Sequence, residues 1–448
     1  MSIFRAYDVR GVYPVQLNGE MAYKIGLAFG KFIGKGTIAL GADARKSSPD
    51  LRSNLLKGLT EAGLNVIDIG MVPTPVLYFT VADKRLDGGT MITGSHNSKE
   101  YNGIKMCRKN GLCLSYETGI MEVEKMVLNG IKSKSLRGTI TVKNAENDYI
   151  DFVTGKTKLA RPLRIVIDAG NGIAGKVACQ IFRKLGCEVI ELHCQPDGDF
   201  PNHHPDPLVR TNLEDLQRRV KETKADLGIA YDGDGDRVGF VDEEGQVVPN
   251  NIAFALLIEN VLGKNPGAKI VHEVLASKLV EDVIRQRGGL PVLSKVGHSY
   301  IQERMVEENC ILGGETSGHY YFRESHNYDD GIFASVKIAE LVSKSEKSMS
   351  ELGAELPKYR TSDDTRVQCP DEKKFEVVER LKKRFRGKGR MITLDGVKIV
   401  MENSWFIVRA SNTQPALVLR WEAGNEKDFK KIGAFLINEV QKEINNLL

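Results

Sequence analysis

A strand–helix–strand rhythm recurs three times along this chain, and it constrains the fold more than any other feature. In its first instance TIALGAD (37–43) has the pattern of a strand. Ser48 and Pro49 follow as a helix N-cap and first helical residue, and Leu51, Leu55, Leu56 and Leu59 recur at helical spacing. NVIDIG (65–70) is the returning strand. The second instance runs from RIVIDA (164–169) through a glycine-rich turn and a helix over 174–185 to CEVIEL (187–192). The third runs from KIVHEV (269–274) through a helix over 277–287 to LPVLSK (290–295). A crossover helix returns the chain to the edge it left, so each unit pairs its strands in parallel. Three such units predict three related mixed α/β domains in tandem.

Beyond residue 358 the rhythm stops. TRVQC (365–369) reads as a strand, and a charged helix follows over 371–386. The short β-rich segments MITLDG, VKIVM, WFIVRAS and LVLRWEA come next, then a closing helix over 426–446. This pattern predicts a smaller C-terminal α+β domain with an antiparallel sheet. The expected boundaries are 1–145, 146–248, 249–358 and 359–448. A chain of 448 residues exceeds what one ordinary core organises, so several domains are required.

Charge narrows the function. There are 63 basic and 59 acidic side chains, a balance too even for a partner such as nucleic acid or an acidic membrane surface. The seven cysteines form no CxxC pair, and their odd count and loose spacing argue against a zinc site or a disulfide framework and fit a reducing cytoplasm. MSIFRAYDVRG lacks the apolar region of a signal peptide, and no apolar run approaches the roughly 18 residues that cross a bilayer.

Four separated segments carry chemistry. MITGSHNSKEYNGIK (91–105) puts Ser95 at the exposed end of a strand, with glycine before it and histidine after it, the setting of an activated nucleophile. Lys105 closes this segment and can offset phosphate charge. LGIAYDGDGDRVGFV (227–241) places Asp232, Asp234 and Asp236 at alternate positions of a turn between two strands. Such carboxylates repel one another unless they share a cation, and an all-oxygen set suits Mg²⁺. An EF-hand would match Asp232, Asp234, Asp236 and Glu243, but Arg237 stands where its loop needs glycine and the flanks are strand-like, which argues against it. Arg237 suggests instead that an anion meets the metal. GGETSGH (313–319) offers Glu315 as an acceptor, Ser317 as donor and acceptor, and His319 as a proton carrier. RASNTQPALVLR (409–420) offers Arg409 as a phosphate fork, with Ser411, Asn412 and Thr413 as short donors.

Weaker signals accompany these. KVGHSYI places His298 in a polar turn before a helix, and Arg10, Arg45 and Arg420 are either site residues or surface arginines. GNGIAG (170–175), with Glu191 beyond it, matches a dinucleotide fingerprint and keeps a nicotinamide-dependent oxidoreductase open. The same glycines also serve a tight strand-to-helix joint, and no hydride-transfer constellation accompanies them.

In this order, FRAYDVRG, TGSHN…YNGIK, FPNHHPDP, DGDGDR, KVGHS, GGETSGH and RASNTQP resemble the α-D-phosphohexomutase family, most of all its phosphomannomutase/phosphoglucomutase branch. The resemblance implies four domains around a central cleft. It implies interconversion of hexose 1-phosphate and hexose 6-phosphate through a phosphoserine and a hexose 1,6-bisphosphate. Ser95 would carry the phosphoryl group, and Asp232, Asp234 and Asp236, with an oxygen on Ser95, would hold Mg²⁺. Glu315 and Ser317 would read sugar hydroxyls. Arg409, Ser411, Asn412 and Thr413 would hold the idle phosphate. Arg10, Lys105, Arg237, His298 and His319 would line the reacting end. A phosphoglucosamine mutase, a metal-dependent phosphatase and a non-catalytic sugar-phosphate sensor are the other readings. A monomer or weak homo-oligomer is expected. Three positions depart from the family pattern: Ser98 replaces a usual proline, Gln414 a frequent glutamate, and Leu275 a frequent basic residue, for which Lys278 is the nearest substitute.

Overall fold

The computed structural model describes residues 2–131, 137–411 and 415–447. Four sheets succeed one another along the chain. Three share one plan. In the first, strand Thr37–Ala42 lies between Asn65–Met71 and Gly88–Ile92, parallel to both, and Tyr101–Arg108 runs antiparallel beside Gly88–Ile92. In the second, Arg164–Asp168 lies between Glu188–Leu192 and Leu227–Tyr231, and Val238–Val241 is the antiparallel neighbour. In the third, Lys269–Glu273 lies between Leu290–Ser294 and Leu312–Gly314, and Tyr320–Phe322 is antiparallel. The three parallel pairs predicted from the recurring units are the first two strands of each plan. In every copy a short turn joins the third strand to the fourth, and these turns hold Ser95, the alternating aspartates and Glu315–His319 respectively.

The crossover helices are Ser48–Glu61, Ala174–Lys184 and Lys278–Gln286. The first begins one residue earlier than the sequence suggests. Ser47, not Ser48, is the cap, and it makes no capping hydrogen bond. Ser48 Oγ is instead donated to Asp43 at 2.6 Å, so a side chain suited to capping serves the interior.

The fourth sheet is antiparallel, in the order Arg360–Thr361, Ala416–Ala423, Ser404–Ala410, Val397–Met401, Arg390–Ile392, with Thr365–Gln368 also on Ala416–Ala423. Its helices Lys374–Arg384 and Glu426–Asn445 complete a separate core around Phe385, Phe406, Leu419 and Leu436. The first three units differ in this respect: one continuous core runs from Ile69 and Val76 through Phe182 and Ile229 to Phe254 and Phe333. The last domain joins the third through a small apolar patch of Val274, Leu275, Trp405 and Ile407. Leu275 thus packs in an interface where a basic residue was expected. Lys278 does not replace that charge, because its Nζ is held by Asp282 at 2.6 and 2.9 Å and by Tyr359 Oη at 3.3 Å. Among the described residues no helix is long and apolar enough to cross a membrane.

Candidate active site

Ser95 has a φ of +47°, a left-handed backbone that non-glycine residues enter rarely and mostly where the surroundings enforce it. The enforcement is visible. Thr93 Oγ1 accepts the Ser95 N–H at 2.8 Å. Beneath the turn lies Arg45, 1% exposed, which the sequence left open between site and surface. Its guanidinium donates to the carbonyls of Ser95 (2.7 Å), Asn97 (2.6 Å), Ser98 (2.6 Å) and Tyr101 (3.0 Å). Asp43 balances its charge, accepting Arg45 Nε at 3.2 Å and the Gly94 N–H at 3.0 Å. A Cβ on Gly94 would lie 2.2 Å from Arg45 Nε, so any larger residue here would displace that guanidinium. Arg10 closes the outer side, donating to the Gly94 carbonyl and, at 2.9 Å, to Asn97 Oδ1. The missing proline at Ser98 leaves the turn closed, since the Ser98 carbonyl holds both Arg45 and the Tyr101 N–H.

The second turn faces the first. Asp232, Asp234 and Asp236 are fully buried, and a carboxylate oxygen from each lies within 4.8 Å of the others. Ser95 Oγ donates to Asp232 Oδ2 at 2.8 Å. Lys105 Nζ pairs with Asp236 Oδ2 and lies 3.0 Å from Asp234 Oδ2. Burial and the two neighbouring carboxylates push Asp232 well above the usual range. Burial raises Asp236 too, but Lys105 and His319 outweigh it and hold that carboxyl well below the usual range. Oδ1 of Asp234 and of Asp236 are buried without a hydrogen-bond partner. Buried orphan carboxylate oxygens in an all-oxygen cluster are what a hard divalent cation requires, so the residues fit one.

The GNGIAG turn supports this loop. A Cβ on Gly172 would lie 2.8 Å from the Gly233 carbonyl oxygen, and the Ile173 N–H donates to that oxygen at 3.0 Å. Glu191 is spent on Arg183 at 2.6 Å. The fingerprint glycines therefore serve close packing, the structural alternative noted for them.

The third turn completes the ring. Arg237 and His319 form a backbone bridge, with Arg237 Nε 3.2 Å from His319 Nε2. His319 Nε2 lies 3.4 Å from Asp236 Oδ1, and its Nδ1 lies 2.8 Å from Ser317 Oγ. Burial opposes its charge, yet Asp236 and Glu315 carry the imidazole up to about 10. Glu315 accepts the Gly297 N–H at 2.9 Å on Oε1 and the Tyr321 hydroxyl at 2.7 Å on Oε2, which fixes the buried carboxylate in place. His298 opens helix His298–Glu307, and its ring stacks on that of His319 with the planes inclined by 28° and the centroids 6.2 Å apart. Burial, then the charges of Lys105 and His319, push it down to about 4.

Arg409 lies on strand Ser404–Ala410 of the last domain. Its Nη2 lies 3.3 Å from Asp395 Oδ2, and its Nε is buried without a partner. Asp395 lines a cavity of about 330 Å³ together with Tyr7, Lys295 and Tyr300. Ser411 is buried, and its carbonyl accepts Lys374 Nζ at 2.6 Å. Asn412, Thr413 and Gln414 lie outside the described residues.

Sequence reasoning passed over three residues here. His96 has its Nδ1 3.1 Å from Ser95 Oγ, and burial, Arg237 and Arg10 keep the ring neutral. Its adjacency to the serine was the available signal. Tyr7 donates to the Val296 carbonyl at 3.1 Å and lines the cavity, with no signal beyond its place in YDVRG. Asp329 is 1% exposed, and neither oxygen has a hydrogen-bond partner. It lies 3.5 Å from His298 Nδ1 and 3.9 Å from His319 Nε2. Nothing in NYDD distinguishes it from the helix cap Asp330 beside it.

A hydroxyl at a strand tip, a buried carboxylate cluster and converging cations define an enzyme site for phosphoryl transfer. Comparison with known proteins agrees. The chain matches phosphoglucomutase/phosphomannomutase alpha/beta/alpha domains I, II and III over residues 1–134, 147–245 and 249–359, and the C-terminal domain over 365–439. It is 41% identical over 439 residues to a phosphomannomutase/phosphoglucomutase of Pseudomonas putida, covering 96% of this chain and 94% of that one. It is 39% identical to a phosphoglucomutase of Neisseria gonorrhoeae, covering 96% and 95%. A crystal structure of a phosphoglucomutase/phosphomannomutase family protein from Burkholderia thailandensis superposes with a TM-score of 0.93 at 34% identity, covering 99% and 97%. The chain belongs to the phosphoglucomutase/phosphomannomutase family, and it is a phosphohexomutase.

Proposed function

We propose that this enzyme interconverts the 1-phosphate and 6-phosphate of mannose, glucose or both, with Ser95 as the phosphoryl carrier and hexose 1,6-bisphosphate as the intermediate. The observation that carries the proposal is the 2.8 Å contact of Ser95 Oγ with Asp232 Oδ2, which joins nucleophile and cation cradle across two domains. Asp232, Asp234 and Asp236 would hold Mg²⁺. Bound there, it would neutralise charge on the transferring phosphoryl group and relieve His319 of the pull of Asp236.

The chain's own groups do the remainder. Arg10, Lys105 and Arg237 converge on the reacting end and stabilise developing charge. His319 moves the proton of the sugar hydroxyl, and Lys105 is the alternative carrier. His298, Glu315 and Ser317 face the sugar. Arg409 and Ser411, with Asn412 and Thr413, anchor the phosphate that is not reacting. The sugar must bind in two opposed orientations, so the last domain must admit rotation of the intermediate while excluding water. Its separate core and small apolar joint to the third domain support such movement. The chain's four domains meet near residues 145, 248 and 358. The free state of all seven cysteines supports a cytoplasmic setting.

Intact-mass analysis tests the carrier: one phosphoryl group mapped to Ser95 is expected, and its absence after incubation with hexose 1,6-bisphosphate refutes the assignment. Parallel kinetics on mannose, glucose and glucosamine 1-phosphates separate this reading from a phosphoglucosamine mutase.

A further inference from the structure

Away from the cleft, one cluster of ligating side chains has no role in the reaction. Asp168 ends strand Arg164–Asp168 and is 1% exposed. His193 follows strand Glu188–Leu192, and His203 lies in FPNHHPDP. One ligand atom from each lies within 4.8 Å of the other two. The imidazole rings meet edge to face, centroids 5.4 Å apart.

The contacts of His203 limit its protonation. Nδ1 lies 2.9 Å from the His204 carbonyl oxygen, which can only accept, so Nδ1 carries a proton. Nε2 faces the Asp168 carboxylate at 3.1 and 3.2 Å, again an acceptor. A neutral ring has one proton and cannot serve both. Either the ring is an imidazolium, or its Nε2 lone pair and the carboxylate share a cation. An imidazolium accounts for Asp168 and His203 but brings no hydrogen-bond partner to His193, whose nearest carboxylate outside the cluster, Asp215, stands 3.5 Å from its Nε2. His193 Nε2 is buried with no hydrogen-bond partner. One divalent ion satisfies all three groups. The backbone carbonyl on the far nitrogen of His203 is then the outer contact that orients a metal-bound histidine.

We propose that Asp168, His193 and His203 form a second metal site, structural in role and of the zinc type. Two imidazole nitrogens with one carboxylate oxygen favour a borderline ion over Mg²⁺. Asp215 Oδ2, 3.5 Å from His193 Nε2, stands at a fourth position towards solvent. The ion would tie the ends of two strands to the loop that buttresses the acidic turn. The Asn171 N–H donates to the His193 carbonyl at 2.7 Å. Pro205 lies against the backbone positions of both Gly170 and Gly233.

The test compares the full-length enzyme with His193→Gln. Both are saturated with Mg²⁺ to fill the acidic turn, exposed to Zn²⁺, freed of unbound metal and analysed for zinc per chain. One more equivalent is expected in the wild type, with a Zn²⁺-dependent rise in Tm that the variant lacks. Co²⁺ loading should give the intense visible absorption of a four-coordinate nitrogen site, which an all-oxygen site does not give. Equal zinc content and equal Co²⁺ spectra overturn the proposal and leave His203 as an imidazolium paired with Asp168. Should His193→Gln fail to fold, the wild-type Co²⁺ spectrum decides alone, and only weak six-coordinate absorption overturns the site.

Discussion

Replacing Arg45 by methionine tests how the nucleophile is held. The guanidinium serves the carbonyls of Ser95, Asn97, Ser98 and Tyr101 and offsets buried Asp43. Hydrogen bonds to a charged donor contribute about 1.5–3 kcal/mol each, though they do not add. Leaving Asp43 as an uncompensated buried charge costs about 3–5 kcal/mol by itself. Local relaxation and water entry recover part of the sum, so ~3–5 kcal/mol is the expected net loss in the first domain. At about 2–4 °C per kcal/mol, scanning fluorimetry should show a Tm lower by roughly 10 °C. Turnover should fall more than stability explains, because a nucleophile displaced by ~1 Å loses about 100-fold. A coupled mutase assay, run well below the variant's Tm, reads that term. Adding Asp43→Asn to Arg45→Met should restore part of the Tm and none of the turnover. A Tm within about 2 °C of wild type together with turnover within about twofold would refute the buttress.

Ser95→Ala should retain the wild-type Tm and circular dichroism while mutase turnover disappears; full activity in that variant removes the assigned nucleophile. Dialysis against a chelator should abolish turnover and Mg²⁺ should restore it, whereas unchanged activity in metal-free buffer contradicts the cation cradle. Gly172→Val places side-chain atoms against the Gly233 and Ala169 backbone, so isothermal titration should show weaker Mg²⁺ binding, and wild-type affinity contradicts the packing role. Asp330 is buried and pushed up to about 7, with Tyr149 Oη donating to both oxygens at 2.8 and 2.9 Å. Its folded value exceeds its unfolded one, so the folded state binds the extra proton and stability falls as pH rises from about 4 to about 7. Asp330→Asn keeps the helix cap and should therefore gain more Tm over wild type near pH 8 than near pH 5; an equal gain at both contradicts the assignment.

Much of this was legible in the residues because two kinds of signal are local. Apolar runs located strands such as RIVIDA, helical spacing located the helix expected over 277–287, and an acidic turn between apolar strands marked a candidate cation site without any fold. The rest depended on distant contacts. Arg45 resembles a solvated arginine in GADARKSS, and only folding sets it under a turn fifty residues away. Asp329 and Asp330 are adjacent and alike in sequence, yet one caps a helix and the other sits orphaned beside two histidines. Leu275 looks like a lost charge until Trp405 and Ile407 come against it. The glycines of GNGIAG announced a tight turn correctly, and what they pack against lay in another segment.

The recurring plan of the first three sheets has a consequence for how such a protein can change. The proposed nucleophile, cation cradle and sugar reader occupy one address in three copies of a single building block, each on its own hairpin. A substitution in the third hairpin can alter which hydroxyl pattern is welcomed while the first two go on exchanging phosphate unaltered. Substrate range and transfer chemistry are thereby separable inheritances, and selection can revise the former without reopening the latter.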